Sequence, residues 1–328
     1  MSRHKFAFPH YSLLLAVLTA LTLTVPSDAA QEGKRLRAKG GGGFAYPPEL
    51  PGAKAEVYKT VGDVKLSLYI FTPPDHKADD KRPAIVFFFG GGWTSGSPGQ
   101  FQHQCRYLAS RGMVAITADY RVASRHQVKA VECVRDAKSA IRWVRANAKR
   151  LGIDPNRIAA GGGSAGGHLA ACTGTLEEFD EKGEDASIRS VPNAMVLFNP
   201  ALVLAPIAGQ SGERLRELVN VDRCGVEPVK ISPCHHVRAG APPAIVFHGK
   251  ADTTVPYMTA EAFADAMKKA GNHCELSGFE GQPHGFFNFG RNENKFFIET
   301  IRQMDRFLAS LGWLKGKPTI EEFAKTLK

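Results

Sequence analysis

The sequence has no block of basic residues of the kind that nucleic-acid-binding proteins carry, although its formal net charge is +10. Its 42 lysines and arginines are scattered along 328 residues, so the charge favours solubility and, less strongly, adhesion to acidic surfaces or polysaccharides. There is also no internal repeat and no interdomain linker, which favours a single globular domain. We therefore expect no nucleic-acid partner.

The sequence also lacks an apolar run that would span a membrane comfortably, since LLLAVLTALTLTV at 13–25 is too short. Arg3 and Lys5 precede this run and small residues at 27–29 follow it, which is typical of a secretory signal peptide. The cleavage site lacks the cysteine that a lipid anchor would require. The alternative to a cleaved signal peptide is an uncleaved amphipathic anchor. We expect cleavage of 1–29 to leave a periplasmic or secreted protein. Loss of two basic residues and one acidic residue then lowers the net charge from +10 to +9.

Cysteine is uncommon, with six residues in the chain. In an exported protein, Cys224 and Cys234 are the best candidates for a disulfide, because they lie close together in a loop-rich stretch. Cys105, Cys133 and Cys172 fall on helical patterns and are expected to be buried as small hydrophobic side chains. Two histidines follow Cys234, but the spacing matches no zinc-binding pattern, so no metal is predicted.

Glycine and proline are concentrated in residues 30–54, which are predicted to be a flexible lead-in. Apolar and polar residues alternate through 55–74 on both sides of a Gly-Asp turn, as in an antiparallel hairpin. Further along the chain, continuous apolar runs alternate with helical stripes. The predicted buried strands cover 83–89, 113–118, 157–162, 194–200 and 243–249, and the predicted helices cover 127–152, 258–271 and 296–313.

Buried strands that alternate with helices indicate the α/β class, with a mostly parallel central sheet and helices on both faces. We expect this domain to span 55–328 and to begin with the antiparallel hairpin. Residues 177–185, EEFDEKGED, are predicted to be a solvated loop. Residues 204–238 have a weaker pattern and more charge, and they are the candidate for a small cap.

The segment RIAAGGGSAGGHLA, residues 157–170, fits two incompatible motifs. Read from Gly161 it is G-x-G-x-x-G, which cradles a dinucleotide pyrophosphate, and read from Gly162 it is G-x-S-x-G, which presents a nucleophilic serine. A dinucleotide fold requires a second parallel strand that ends in an acidic residue about twenty positions later. The charged loop 177–185 occupies that place, and an exported protein has no access to the nicotinamide pool of the cell. The nucleophile elbow, with Ser164 at its tip, is therefore the better interpretation.

The downstream sequence supplies the two partners that a nucleophilic serine requires. A base must take the hydroxyl proton and a carboxylate must fix the tautomer of that base, in the chain order Ser, Asp or Glu, His. After Ser164, Asp252 follows a buried strand and His284 lies in a later loop bounded by glycine and proline. Glu280 is the alternative acid, in a less suitable setting. His168 lies one helical turn beyond the serine and is expected to pack or cap rather than act as the base.

A second glycine-rich segment, FFFGGGWTSGS at 87–97, supplies hydrogen-bond donors for an oxyanion. A buried strand runs into three glycines there, and a glycine backbone can approach a ligand closely. We predict that the amides of Gly91, Gly92 and Ala165 hold the oxyanion, the last because the first amides of a helix have no partner within it. A simple tight turn is the alternative. The nearby residues 119–121, DYR, are predicted to form a structural hydrogen-bond cluster.

Five motifs together resemble the α/β-hydrolase superfamily, in its esterase branch related to hormone-sensitive lipase and bacterial carboxylesterases. They are FGGGW, DYR, LGIDPNRIAAGGGSAGGHLAA, HGKADTTVP and HGFFN, and the resemblance covers residues 55–313. It implies the α/β-hydrolase fold and a serine esterase that acts through an acyl-enzyme, without metal or cofactor. Two positions depart from the family pattern, since Phe89 replaces the usual His and Gly163 replaces a frequent acidic residue. The hydrogen bonds that normally hold the glycine loop must then come from elsewhere.

The motifs look closer to those of exported bacterial esterases that act on acetylated or feruloylated plant polysaccharides, such as acetylxylan esterases. This resemblance predicts a serine carboxylic-ester hydrolase for short-acyl esters carried by carbohydrate. A serine exopeptidase with the same three residues is the closest alternative. A non-catalytic saccharide-binding protein on the same fold is the alternative from another class, and the complete set of three residues argues against it.

Overall fold

The computed structural model describes residues 46–207 and 219–327. The predicted signal peptide, most of the lead-in and residues 208–218 of the predicted cap lie outside the described residues. Within the two described ranges, no helix combines the length and the apolar character that a membrane crossing requires.

An eight-stranded sheet forms the centre of the described structure, in the spatial order β1-β2-β4-β3-β5-β6-β7-β8. In chain order the strands are β1 (Lys54–Val61), β2 (Val64–Phe71), β3 (Arg82–Phe88), β4 (Val114–Ala118), β5 (Ile153–Gly163), β6 (Ala194–Phe198), β7 (Ala244–Gly249) and β8 (Cys274–Phe279). β2 pairs antiparallel with both β1 and β4, and the other neighbouring strands pair parallel. The predicted hairpin and the mostly parallel sheet are confirmed.

Helices cover both faces of this sheet. The α-helices are α1 (Gln102–Ser110), α2 (Ala123–His126), α3 (Ala130–Ala146), α4 (Ala165–Thr175), α5 (Val221–Cys224), α6 (Tyr257–Lys269), α7 (Lys295–Ser310) and α8 (Ile320–Ala324). Short 3-10 helices lie at Pro98–Phe101, Pro228–Ile231, Pro233–His236 and Asn292–Asn294. Helices α1 and α7 pack on one face, and α3, α4 and α6 pack on the other.

Strand β3 illustrates why the central strands are continuous apolar runs. All of its residues except the first are buried. Ile85 and Phe87 pack in the core beneath α1 and α7, whereas Val86 and Phe88 pack in the core beneath α3 and α4, because successive side chains point to opposite faces. β3 and β5 are parallel, so their carboxyl ends meet at one edge of the sheet. That edge therefore receives both glycine-rich segments of the sequence.

The charged loop 177–185 is anchored more firmly than its composition suggests. Lys138 of α3 is buried, and its ammonium group donates hydrogen bonds to the main-chain oxygens of residues 176–178. Lys138 and Arg142, both on α3, also pair with Asp180, each at 3.0 Å. The predicted solvated loop is confirmed, since none of residues 177–185 is buried or lies in a helix or strand. Cationic partners from α3 also hold this loop against the domain.

The predicted disulfide between Cys224 and Cys234 is wrong, since all six cysteines are free thiols. Cys224 ends α5 and is buried, and Cys234 is half-buried in the 3-10 helix that begins at Pro233. Both side chains pack against the same hydrophobic core, and burial raises the pKa of each thiol to about 11. Both residues therefore contribute as neutral, packed side chains.

Candidate active site

Ser164 sits on a strained turn between β5 and α4. Its backbone angles are φ 54° and ψ −120°, a region that a residue with a side chain occupies only when the surrounding structure enforces it. The flanking glycines are a steric requirement, because a Cβ atom at Gly162 would lie 2.4 Å from the Gly166 oxygen, and one at Gly166 would lie 2.0 Å from the Phe88 oxygen. This close packing of the strand, the turn and the helix is the geometry of a nucleophile elbow.

The structure brings Asp252 and His284 together. Asp252 follows β7 and His284 lies in the loop after β8, and His284 Nδ1 is 2.7 Å from Asp252 Oδ2. Glu280, the alternative acid, is exposed and pairs instead with Lys250 at 2.5 Å. Asp252 is therefore the carboxylate positioned to orient the imidazole.

The surroundings of Asp252 keep its carboxylate ionised. The amides of Thr254 and Val255 each donate to Oδ1 at 2.8 Å, and His248 Nε2 lies 3.4 Å from Oδ2. Burial alone would raise the pKa of Asp252, but the contacts with His248 and His284 outweigh burial and hold the pKa well below its ordinary range. A negative charge thus faces the imidazole of His284 at neutral pH.

Asn199 is a residue of this site that the sequence pattern does not reveal. It follows β6, is fully buried, and has a positive φ of 42°. Its Nδ2 donates to Asp252 Oδ2 at 3.1 Å, and its Oδ1 accepts from the amide of Gly285 at 3.2 Å. One side chain therefore holds both the acid and the loop that carries His284. The available signal is weak, namely a polar residue directly after an apolar strand.

The segment 89–96, which we call the oxyanion loop, lies directly beside Ser164. A Cβ atom at Gly90 would be 3.3 Å from the Ser164 Cβ. Gly91 and Gly92 have φ values of 129° and 62°, which glycine adopts at no steric cost. Among the described residues, no hydrogen-bond acceptor is bonded to the amides of Gly91, Gly92 and Ala165. The three amides predicted to bind an oxyanion therefore remain able to donate to one.

The oxyanion loop is held without the histidine that Phe89 replaces. The Phe89 ring stacks on the Tyr120 ring at 4.1 Å between centroids, and the Tyr120 hydroxyl donates to the Phe89 oxygen at 2.7 Å. Arg125 donates to the Gly96 oxygen at 2.8 Å, and Asp119 accepts from the Tyr120 amide at 3.0 Å. Arg121 is buried and donates from Nε and Nη2 to Asp136, each at 2.8 Å. The structural hydrogen-bonding role predicted for the DYR motif is confirmed.

His168 connects the oxyanion loop to helix α4 rather than acting as a base. It is fully buried, its Nδ1 accepts from Trp93 Nε1 at 3.2 Å, and its Nε2 lies 2.6 Å from the Ile231 oxygen. Because the indole only donates and the carbonyl only accepts, the ring must be neutral with its proton on Nε2. Burial lowers the pKa of His168 to about 4. The packing role expected for this histidine is confirmed.

Replacing His168 with glutamine is expected to flatten the pH dependence of stability between pH 4 and 6.5. The pKa of His168 is about 4 in the folded protein against an ordinary value of 6.5, so the unfolded chain binds more protons in this window. The free energy of unfolding of the wild type then falls with decreasing pH, by about 3 kcal/mol for this residue at 1.36 kcal/mol per pKa unit. Urea unfolding at several pH values measures both proteins, and parallel curves would contradict the assignment.

A cavity of about 280 Å³ adjoins the oxyanion loop. Its lining includes Gly92 and Trp93 from the loop, Lys129 from the start of α3, and Asp222 and Arg223 from α5. Arg223 donates to the Gly92 oxygen at 2.9 Å and lies over the Trp93 ring at 5.2 Å. Part of the predicted cap segment thus contacts the oxyanion loop. Among the described residues, no group of three or more His, Cys, Asp or Glu side chains is arranged to hold a metal ion.

Comparison with known protein families shows which family this chain belongs to. The BD-FAE family model matches residues 68–267, a range that includes both the Ser164 elbow and Asp252. The chain belongs to the BD-FAE family. A second model, of the dienelactone hydrolase family, matches residues 228–315 and thus includes Asp252 and His284.

Relatives of this BD-FAE member are esterases by name. It is 32% identical to esterase LipC of Mycobacterium tuberculosis over 62% of this chain and 53% of LipC, and 27% identical to carboxylesterase NlhH of the same species over 74% of this chain and 79% of NlhH. The chain therefore spans about half the length of LipC. The apo structure of Thermogutta terrifontis esterase 2 is 58% identical, with a TM-score of 0.79, and the match covers 84% of this chain and 100% of that one. The predicted α/β-hydrolase fold is confirmed.

Proposed function

We propose that this BD-FAE member is a serine carboxylesterase in which Ser164 is the nucleophile, His284 the general base and Asp252 the orienting acid. The observation that carries the proposal is the 2.7 Å contact between His284 Nδ1 and Asp252 Oδ2, at the sheet edge where Ser164 occupies a strained turn. The esterase names of the relatives support the same reaction class.

In the acylation step, the Nδ1–H group of His284 donates a hydrogen bond to the Asp252 carboxylate and keeps its proton, which leaves Nε2 free to accept the hydroxyl proton of Ser164. The serine Oγ then bonds to the ester carbonyl carbon, and the carbonyl oxygen becomes an oxyanion. The amides of the oxyanion loop and of Ala165 donate to that oxygen, which stabilises the charge as it develops. When the tetrahedral intermediate collapses, the carbon–oxygen bond to the alcohol breaks, and His284 returns the proton to the leaving alcohol.

In the deacylation step, water takes the place of the alcohol. His284 accepts a proton from the water as its oxygen bonds to the acyl carbon, and the same amides bind the second oxyanion. Collapse breaks the bond to Ser164 Oγ, which recovers its proton from His284. The products are the free carboxylic acid and the regenerated enzyme, and every proton is returned.

Short-acyl esters are the proposed substrates, with acetylated or feruloylated polysaccharide as the proposed carrier. Structures of Thermogutta terrifontis esterase 2 with propionate and with butyrate support a small acyl group, at 57% and 56% identity to this chain. The proposal that a polysaccharide carries the ester rests on the motif resemblance and on the signal peptide proposed for residues 1–29. That segment would deliver the enzyme to the periplasm or the medium, where plant polysaccharides are accessible.

A panel of substrates tests this function. We expect acetyl and butyryl esters of p-nitrophenol to react about tenfold faster than the octanoyl ester, because a pocket of fixed size discriminates by methylene groups. Feruloyl esters and acetylated xylan test the carrier, and aminoacyl amides test the exopeptidase alternative. Faster turnover of amides than of esters would establish a peptidase, and tight saccharide binding without any turnover would establish a binding protein.

A further inference from the structure

Two side-chain amides, Gln100 and Asn288, join the oxyanion loop to the loop that carries His284. The amide of Gly90 donates to Gln100 Oε1 at 2.6 Å, and Gln100 Nε2 donates to Asn288 Oδ1 at 2.9 Å. Asn288 Nδ2 in turn donates to the Gly285 oxygen at 2.9 Å. We call this pair of side chains the amide bridge.

The orientation of each amide in the bridge is determined by its partners. The Gly90 amide can only donate, so the atom of Gln100 that faces it must be oxygen. Gln100 then presents nitrogen to Asn288, which must present oxygen in return and nitrogen to the Gly285 carbonyl. Each of the three hydrogen bonds then joins a donor to an acceptor, so the bridge has one consistent arrangement.

The hydrogen bonds continue from the bridge to the acid. The Gly285 amide donates to Asn199 Oδ1 at 3.2 Å, and Asn199 Nδ2 donates to Asp252 Oδ2 at 3.1 Å. An unbroken series of polar contacts therefore links Asp252 to the Gly90 amide. The two halves of the site, one that moves a proton and one that binds an oxyanion, are joined by a path separate from Ser164.

We propose that Gln100 is a positioning residue, which acts with Asn288 to fix the oxyanion loop relative to His284. This inference rests on the function proposed above. Gln100 accepts the hydrogen bond of the Gly90 amide and so fixes the backbone at Gly90. The orientation of this peptide limits the directions in which the next two amides, of Gly91 and Gly92, can point. A displacement of such donors by about 1 Å is sufficient to lower turnover by as much as a hundredfold. The bridge also gives this loop a side-chain hydrogen bond at Gly90, whereas the phenyl ring of Phe89 makes no conventional hydrogen bond.

Replacing Gln100 with methionine tests the proposal, because methionine has a similar length and makes no comparable hydrogen bond. We expect kcat for a p-nitrophenyl acetyl ester to fall by about tenfold or more with little change in KM, since the amides that Gln100 positions bind the oxyanion in the transition state. Affinity for a trifluoromethyl ketone, which forms an oxyanion when a serine adds to it, should fall by the same factor as kcat/KM. Gln102→Met is the matched control, since Gln102 is also half-buried and, within the described part of the chain, its side chain hydrogen-bonds only to its neighbour His103.

The Asn288→Leu variant tests the shared path. If both amides act through one bridge, the double variant Gln100→Met/Asn288→Leu should be no slower than the slower single variant. Should the methionine variant fail to fold, Gln100→Asn keeps the amide but is too short to reach both partners, and the same loss of kcat is expected.

Three results would overturn the proposal. These are a rise in KM with kcat unchanged, an unchanged affinity for the ketone, and losses that multiply in the double variant. Failure of the proposed function is distinguishable, because wild-type protein would then hydrolyse no ester at all. Turnover by the wild type that Ser164→Ala abolishes, together with a fully active Gln100→Met, would leave the esterase assignment intact and reject only the bridge.

Discussion

Ser164→Ala is expected to lower kcat/KM for a short-acyl ester by about 10⁴-fold or more, because the variant lacks the oxygen that forms the acyl-enzyme. The oxyanion amides and the substrate pocket remain, so a small residual rate above the uncatalysed reaction is expected. The cavity left by one hydroxyl is minor, and the strained backbone at φ 54° is set by the surrounding glycines. Initial rates with p-nitrophenyl butyrate, together with a circular dichroism spectrum, measure both activity and folding.

The matched control for this change is Ser110→Ala at the end of α1. Among the residues that the structure describes, the Ser110 hydroxyl hydrogen-bonds only to the Tyr107 oxygen, at 2.7 Å, and its helix supplies no candidate catalytic group. We expect wild-type activity from this control. A Ser164→Ala variant that retains more than roughly one hundredth of wild-type activity would be incompatible with a nucleophile at this position.

The second large effect is expected from Asp252→Asn, which should lower kcat by about 10⁴-fold. An amide at this position can place a hydrogen toward His284 Nδ1, which moves the imidazole proton to Nε2. That nitrogen then cannot accept the proton of Ser164. The change is close to isosteric, and the amides of Thr254 and Val255 still find an acceptor in the carboxamide oxygen.

Glu280→Gln is the control that separates the two acids. Glu280 is exposed and pairs with Lys250 at the surface, so its replacement should change kcat by less than about twofold. The measurement is kcat as a function of pH for the wild type, Asp252→Asn and Glu280→Gln. If Glu280→Gln were the slower variant, Glu280 and not Asp252 would orient the imidazole, and a loop rearrangement would have to bring it there.

Much of the fold follows from local pattern. The strands of the sheet are readable because a strand covered on both faces needs a continuous apolar run, as β3 and β7 have. The position of Ser164 can be predicted because the close contacts around its turn admit only glycine at the flanking positions. Asp252 and His284 are readable because the carboxyl ends of parallel strands meet at one edge of the sheet, where chain order limits the candidates.

The contacts that depend on tertiary structure could not be predicted from local sequence pattern. Asn199, Gln100 and Asn288 each carry an amide side chain, which has no preferred spacing and takes its partner from distant parts of the chain. The prediction of a Cys224–Cys234 bridge rests on closeness in sequence within a loop-rich stretch, which says nothing about the direction of the two Cβ vectors. The anchoring of 177–185 depends on cations of α3, about forty residues earlier, and charge composition alone cannot reveal such partners.

The most direct test of the account is to identify the residue that paraoxon modifies. A structure of Thermogutta terrifontis esterase 2 phosphorylated by paraoxon, 56% identical to this chain, makes the reagent suitable. We expect one diethylphosphoryl group per chain, located by peptide mass spectrometry on Ser164, with loss of esterase activity in proportion to labelling. We also expect His284→Gln to slow labelling by about a hundredfold or more, since the base that activates the serine is absent. Stoichiometric labelling of another residue, or full esterase activity after Ser164 is labelled, would contradict the account.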